Sequence, residues 1–249
     1  MTADGFQCLL TPAGHRLAYA QSPGAGPGVV WLGGFRSDMT GSKATFLHQA
    51  LAEAGRGFLR FDYFGHGASE GAFEDGTISI WREDALAVLD ALCDGPQILV
   101  GSSMGAWIAL LAALARPETV KALVLIAPAP DFTETLMWAR FSPQVKSEIL
   151  QTGAWLRPSD YDPAGYPITR ALIEDGRRHL LLGRPIPIAA PVRILQGAAD
   201  EDVPMAHALR LLDDLTSEDV IATVIKGGDH RLSAPADLER LRDTVLSLV

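Results

Sequence analysis

Residues 96–115 read PQILVGSSMGAWIALLAALA, and the reading of this stretch decides the fold. Its first part is a short apolar run that suits a buried strand. Its second part is apolar on nearly every side, as in a helix packed all round. Between them stands GSSMG (101–105), a Gly-x-Ser-x-Gly pattern centred on Ser103. A sharp strand-to-helix turn of this kind holds its serine in a strained conformation. The flanking glycines are needed because side chains there would strike the neighbouring strand and helix. Gly105 and Ala106 keep the first helical turn thin, and the helix start aims backbone N–H groups at negative charge developing beside it.

The same pattern occurs in GASEG (67–71), centred on Ser69. A strand precedes it, but AFEDGT (72–77) follows with two acids, a glycine and no apolar period, so the segment reads as loop. Ser102 fails in its own frame, where Val100 and Met104 stand in place of the glycines. Ser103 is the expected nucleophile.

Outward from this turn the chain alternates. A hairpin is expected at 6–10 and 16–20, then strands at 28–33, 57–64, 97–100, 121–127, 192–197 and 220–226. Helical spacing marks 43–55, 81–93, 103–115, 204–215 and 235–248. Strands alternating with helices, and apolar on both faces, imply an α/β fold with a mostly parallel central sheet flanked by helices; the hairpin adds antiparallel edge strands. One connection breaks the rhythm. About sixty residues separate the sixth and seventh strands, far more than one crossover helix needs. The expected division is a core of 1–130 and 189–249 with a small helical lid at 131–188. The lid holds Met137, Trp138, Phe141, Trp155, Tyr161 and Tyr166. Some of these must pack a helical pair internally; Met137, Trp138, Phe141 and Trp155 are the candidates to meet a substrate, because open α/β sheets bind ligands at the C-terminal ends of their strands.

A serine hydroxyl needs a base, and the base needs an orienting group. Of the six histidines, His230 in KGGDHRLS alone follows Ser103 on a loop after a strand. His15 falls in the hairpin turn, His48 and His207 on solvated helix faces, His179 in the insertion, and His66 before the serine. For the acid, LQGAADEDVP offers Asp200 first off its strand; Asp202, which could instead cap the next helix, and Asp131 after the preceding strand remain alternatives. The two N–H donors of an oxyanion hole are expected from Met104, directly after the nucleophile, and Phe35 in LGGFRSD, where Gly33 and Gly34 allow close approach.

The composition narrows the partners. The chain has 249 residues, 48% of them hydrophobic, and a formal net charge of −9. No run of lysine or arginine exceeds a pair, so nucleic acid and anionic membranes are poor partners. The first ten residues lack a basic segment followed by an apolar run, and AWIALLAALA (106–115) is too short to span a bilayer. A cytoplasmic location is the resulting expectation. Cys8 and Cys93 read as free thiols outside any metal-ligand spacing, and no metal or organic cofactor is expected. Arg177 and Arg178 read as a solvated face, and the oligomeric state is not legible.

Taken together, WLGGF, FDYFGHGAS, GSSMGAW, LQGAADEDVP and GGDHR resemble the α/β-hydrolase superfamily over nearly the whole chain. GFRSDMTGSKA, RFDYFGHGASEG and DGPQILVGSSMGAWIALLAALARPE resemble, more narrowly, the animal mitochondrial palmitoyl-protein thioesterases that also cleave acyl glucuronides. The resemblance implies a serine hydrolase of carboxylic esters or thioesters, with Ser103, Asp200 and His230 at the family's triad positions and a small-molecule or acylated-protein substrate. A carbon–carbon bond hydrolase or acyltransferase would share the triad, and a non-catalytic binding module would share the fold. A haloalkane dehalogenase would need aspartate in place of Ser103.

Overall fold

β1 (Gln7–Leu10) and β2 (Arg16–Ser22) pair antiparallel. Then β3 (Ala25–Leu32), α1 (Ser42–Glu53), β4 (Arg56–Phe61), α2 (Ile78–Leu92), β5 (Gln97–Ser102), α3 (Met104–Ala115) and β6 (Val120–Ile126) alternate. An insertion carries α4 (Pro143–Thr152), β7 (Ala154–Arg157), β8 (Tyr166–Thr169) and α5 (Arg170–Gly176). β9 (Val192–Gly197), α6 (Met205–Asp214), β10 (Val220–Ile225) and α7 (Pro235–Leu246) close the chain. This computed structural model describes residues 5–158 and 165–249, so Tyr161 lies outside the described residues.

Eight strands form one sheet in the order β1-β2-β4-β3-β5-β6-β9-β10. From β4 to β10 all neighbours are parallel, and β2 alone runs against the rest. Strand alternation divides the core in two. Ile98 and Val100 of β5 face α1 and α7, whose Leu47, Leu51, Leu241 and Val245 are buried there. Leu99 faces α2 and α3 on the other side, with Trp81 and Trp107 among the largest fully buried side chains. Burying each such leucine or isoleucine contributes about 1.5–3 kcal/mol. Among the described residues no helix is long and apolar enough to cross a membrane.

The expected elements are present, with shifted ends. α2 starts at Ile78 rather than 81, because the Thr77 hydroxyl accepts the Ile80 N–H at 3.3 Å and Ile78 is already buried. β4 stops at Phe61 rather than 64, because Asp62 turns its carboxylate to the N–H groups of Met39 (2.6 Å) and Ala68 (2.8 Å). The larger correction is in the insertion, which is not purely helical. β7 and β8 pair antiparallel in their own two-stranded sheet, with Trp155 opposite the buried Ile168. Aromatic and β-branched residues at alternate positions favour strand over helix in segments this short.

Candidate active site

Ser103 sits between β5 and α3 at φ 55° and ψ −115°, a conformation that costs a non-glycine residue about 1–3 kcal/mol. Close packing imposes it. A Cβ on Gly105 would lie 2.1 Å from the Leu32 carbonyl oxygen, and one on Gly101 would lie 2.5 Å from that of Gly105. Only bare backbone lets the first turn of α3 approach β3 and β5 so closely. Every residue from Met104 to Ala113 in α3 is buried, as the all-round apolar pattern requires.

Two further strand ends bring partners to this turn. A Cβ on Gly197 would meet the Gly228 carbonyl at 2.3 Å, and Ala199 N–H donates to that same oxygen at 2.9 Å. The loops after β9 and β10 are thereby tied backbone to backbone. His230 Nδ1 lies 2.9 Å from Asp200 Oδ2, and its Nε2 lies 3.1 Å from Ser103 Oγ. A carboxylate can only accept, so Nδ1 carries the proton and Nε2 is left to accept from the serine. The Asp200 side chain is fully buried, and that of His230 is 25% exposed. Burial alone would raise the Asp200 pKa. Hydrogen bonds from His230, Val203 and Gln196 outweigh it and hold the carboxyl below its ordinary value.

The other expected acids are elsewhere. Asp131 is buried, and its two oxygens accept the N–H groups of Leu181 and Leu182, both at 2.8 Å, which pins the insertion's exit to its entry. Burial raises its pKa against these bonds. Asp202 is exposed, and its own N–H donates to Asp200 at 3.0 Å. It does not cap α6, whose N-cap is Pro204 without a side-chain bond. Among the described residues Asp200, Asp202 and His230 form a group whose possible metal-ligand atoms lie within 4.8 Å. Both oxygens of Asp200 and both ring nitrogens of His230 are already engaged in the contacts above.

Ser69 has a structural task. Its Oγ accepts the Ala18 N–H at 2.8 Å and donates to the Asp62 carbonyl at 2.6 Å, stitching the loop after β4 to β2. The remaining histidines are likewise occupied. His15 donates to Asp84, and His179 meets Ser79. His207 is half-buried rather than solvated, with Nε2 donating to the Pro130 carbonyl at 2.7 Å. His48 is half-buried too and packs on Phe58.

A cavity of about 860 Å³ opens over Ser103 and His230. Phe35 and Met104, the two residues expected to supply N–H donors, line it. Of the four insertion residues expected to face it, only Met137 does. Trp138 instead lies under Arg177 and Lys146, and Phe141 packs edge-on against Trp155 at 5.3 Å. Phe132, Leu136 and Tyr166 line the cavity in their place. Four arginines, Arg36, Arg140, Arg157 and Arg231, also line it, against two acids, Glu201 and Asp202. Sequence reading missed them because they are scattered singly along an acidic chain. Arg177 and Arg178 lie outside the lining, paired at the surface with Glu134 and Asp175.

A mostly parallel sheet wrapped in helices, with a serine on a strained strand-to-helix turn facing a histidine and an acid from later strand ends, is the architecture of an α/β-hydrolase. Residues 29–164 match Hydrolase_4 (serine aminopeptidase, S33), and the chain belongs to this family of hydrolytic enzymes. It is 42% identical to the mouse (Mus musculus) palmitoyl-protein thioesterase ABHD10, mitochondrial, over 94% of this chain and 78% of that one. Two solved structures are similar throughout. A crystal structure from Agrobacterium vitis S4 superposes with a TM-score of 0.94 at 43% identity, over 98% of both chains. The mouse α/β hydrolase domain-containing protein 10 gives 0.90 at 39%, again over 98% of both.

Proposed function

We propose that this hydrolase cleaves carboxylic esters or thioesters through a Ser103–His230–Asp200 triad and an acyl-enzyme. The unbroken hydrogen-bond chain from Asp200 through His230 to Ser103, at the floor of a cavity, carries the reading. His230 Nε2 takes the serine proton as Oγ attacks the carbonyl carbon. Asp200 orients the ring and stabilises the imidazolium. The N–H groups of Phe35 and Met104 hold the oxyanion. When the tetrahedral intermediate collapses, the C–S or C–O bond breaks and the leaving thiol or alcohol takes the proton from His230. Water, deprotonated by His230, then releases the acid and restores the serine.

Residues 131–188 act as the lid on a core of 1–130 and 189–249, its base closed by Asp131. An apolar wall of Phe132, Leu136 and Met137 suits an acyl chain, as in the acylated proteins that the mouse relative is named for. The cavity arginines favour a second substrate type within the same chemistry, an ester whose leaving group bears a carboxylate, such as an acyl glucuronide. The acidic composition fits a cytoplasmic protein, whereas the mouse relative is named mitochondrial.

The test is hydrolysis of p-nitrophenyl esters of increasing chain length, a long-chain acyl thioester and an acyl glucuronide by the unmutated protein, Ser103→Ala and Ser69→Ala. Turnover should vanish in Ser103→Ala alone. Ser69→Ala should keep its turnover number and lose about 1–3 kcal/mol of stability from two broken hydrogen bonds. Full activity in Ser103→Ala would overturn the mechanism. Ligand-induced stabilisation without turnover by the unmutated protein would favour a binding module, and product analysis separates the carbon–carbon hydrolase and the acyltransferase.

A further inference from the structure

His66 belongs to the glycine-rich loop after β4 whose Gly-x-Ser-x-Gly match is structural, yet the residue is only 4% exposed. Tyr63, Phe73 and Trp81 meet it edge-on, with centroids 5.7, 5.2 and 5.1 Å away. Both nitrogens are engaged. Nδ1 lies 3.2 Å from the Phe64 carbonyl, which can only accept, so Nδ1 carries the proton. Nε2 accepts the backbone N–H of Arg36 at 3.2 Å. Burial, with the Arg36 guanidinium adding to it, lowers the His66 pKa to about 4, so the ring is neutral and Nε2 stays an acceptor at working pH.

Arg36 is the third residue of a turn, Gly34–Phe35–Arg36–Ser37, closed by Ser37 N–H donating to the Gly34 carbonyl at 3.0 Å. It stands at φ 57°, the left-handed conformation that a type II turn requires at this position and that glycine normally supplies. A non-glycine residue stays there only where its surroundings hold it. Type I and type II turns differ by a flip of the central peptide, here the one joining Phe35 to Arg36. The flip reverses the direction of the Arg36 N–H, so His66 Nε2 can accept from one form only. The turn borders the nucleophile: a Cβ built on Gly34 would lie 3.6 Å from that of Ser103, and Phe35 lines the cavity. His66 itself is not among the residues lining that cavity.

We propose that His66 is a positioning residue of the oxyanion hole: by accepting the Arg36 N–H it pins the Phe35–Arg36 peptide and holds the 34–37 turn in place beside Ser103, so that the adjoining Gly34–Phe35 peptide keeps its N–H on the reacting oxygen. The inference rests on the roles assigned above to Ser103 and Phe35. His66 moves no proton in the reaction and touches no substrate.

The test compares a p-nitrophenyl oxoester with its thionoester, whose larger and weakly accepting sulfur makes poor use of an oxyanion hole. His66→Phe keeps an aromatic ring and removes the acceptor. It should lower kcat for the oxoester by roughly ten- to a hundredfold with KM little changed, and lower the thionoester rate far less. The oxo-to-thiono ratio therefore collapses. His66→Gln, which keeps an acceptor, should recover part of the ratio. If His66→Phe does not fold, His66→Leu carries the same readout. Equal losses on both substrates, or an unchanged kcat, would overturn the positioning role. Ser103→Ala runs alongside: its loss of turnover beside an unaffected His66→Phe sinks the role of His66 alone, whereas survival of turnover there sinks the serine mechanism as well.

Discussion

Asp200 shows how much one residue's surroundings decide. Its Oδ1 is spent on the N–H groups of Asp202 and Val203, and its Oδ2 receives His230 and Gln196. With every lone-pair direction aimed at a donor, the buried carboxylate is stable in its ionised form and fixes one histidine tautomer. Asp200→Asn preserves the shape but can present an N–H to Nδ1, which then must accept and leaves Nε2 protonated. A base carrying its proton on the wrong nitrogen cannot take the serine's. We expect kcat for a p-nitrophenyl ester to fall about 10³- to 10⁴-fold with KM nearly constant. Steady-state kinetics check this, and a loss below tenfold would mean that another acid orients His230.

At the scale of elements, the insertion separates residues that pack it internally from residues that line the cavity. The Phe141–Trp155 pair and the cation-flanked Trp138 pack the insertion against itself, while Met137, next along the same turn, enters the cavity. Apolar type alone does not distinguish these tasks, since both remove similar area from water. The two groups should respond differently to truncation. Trp155→Ala should lower stability by about 3–5 kcal/mol, or less where half-burial limits the loss, and leave the preferred acyl length where it was. Met137→Ala enlarges the cavity and should move that optimum to bulkier or longer acids. Urea unfolding paired with a chain-length series of esters measures both; a shifted optimum in Trp155→Ala would show that the insertion's packing also shapes the cavity.

For the molecule as a whole, buried titratable groups set how stability follows pH, and they act with opposite signs. His66 titrates at about 4 in the fold against about 6.5 unfolded, so the unfolded chain binds the extra proton between these values. Its contribution is complete above pH 6.5 and is lost as pH falls towards 4, up to about 3 kcal/mol. Asp62, raised to about 6 by burial, does the reverse: its contribution is complete below about pH 4 and is lost as pH rises through 6. The two oppose each other in the unmutated protein. Subtracting the stability of His66→Phe removes the part common to both, so the difference should rise with pH between about 4 and 6.5. Urea titrations at stepped pH give the curve, and a flat difference would mean that His66 binds its proton equally in the folded and unfolded chain.

The parts of the site legible in the chain are those encoded by short, local pattern. A strand run, a thin glycine turn and an all-apolar helix singled out Ser103 over Ser69, and position after a strand picked out His230 and Asp200. Such patterns report burial and backbone geometry within a few residues, which is what determines whether a strained turn can form. The cavity wall was not legible in this way. Phe132, Tyr166 and the four arginines come from separate segments, and nothing within any one of them records which neighbour it will face. The hairpin in the insertion and the link from His66 to Arg36, thirty residues apart in the chain, likewise arise only when distant segments pack. Periodicity states that a side chain is buried; the partner it is buried against is set by the closure of the whole sheet and its insertion.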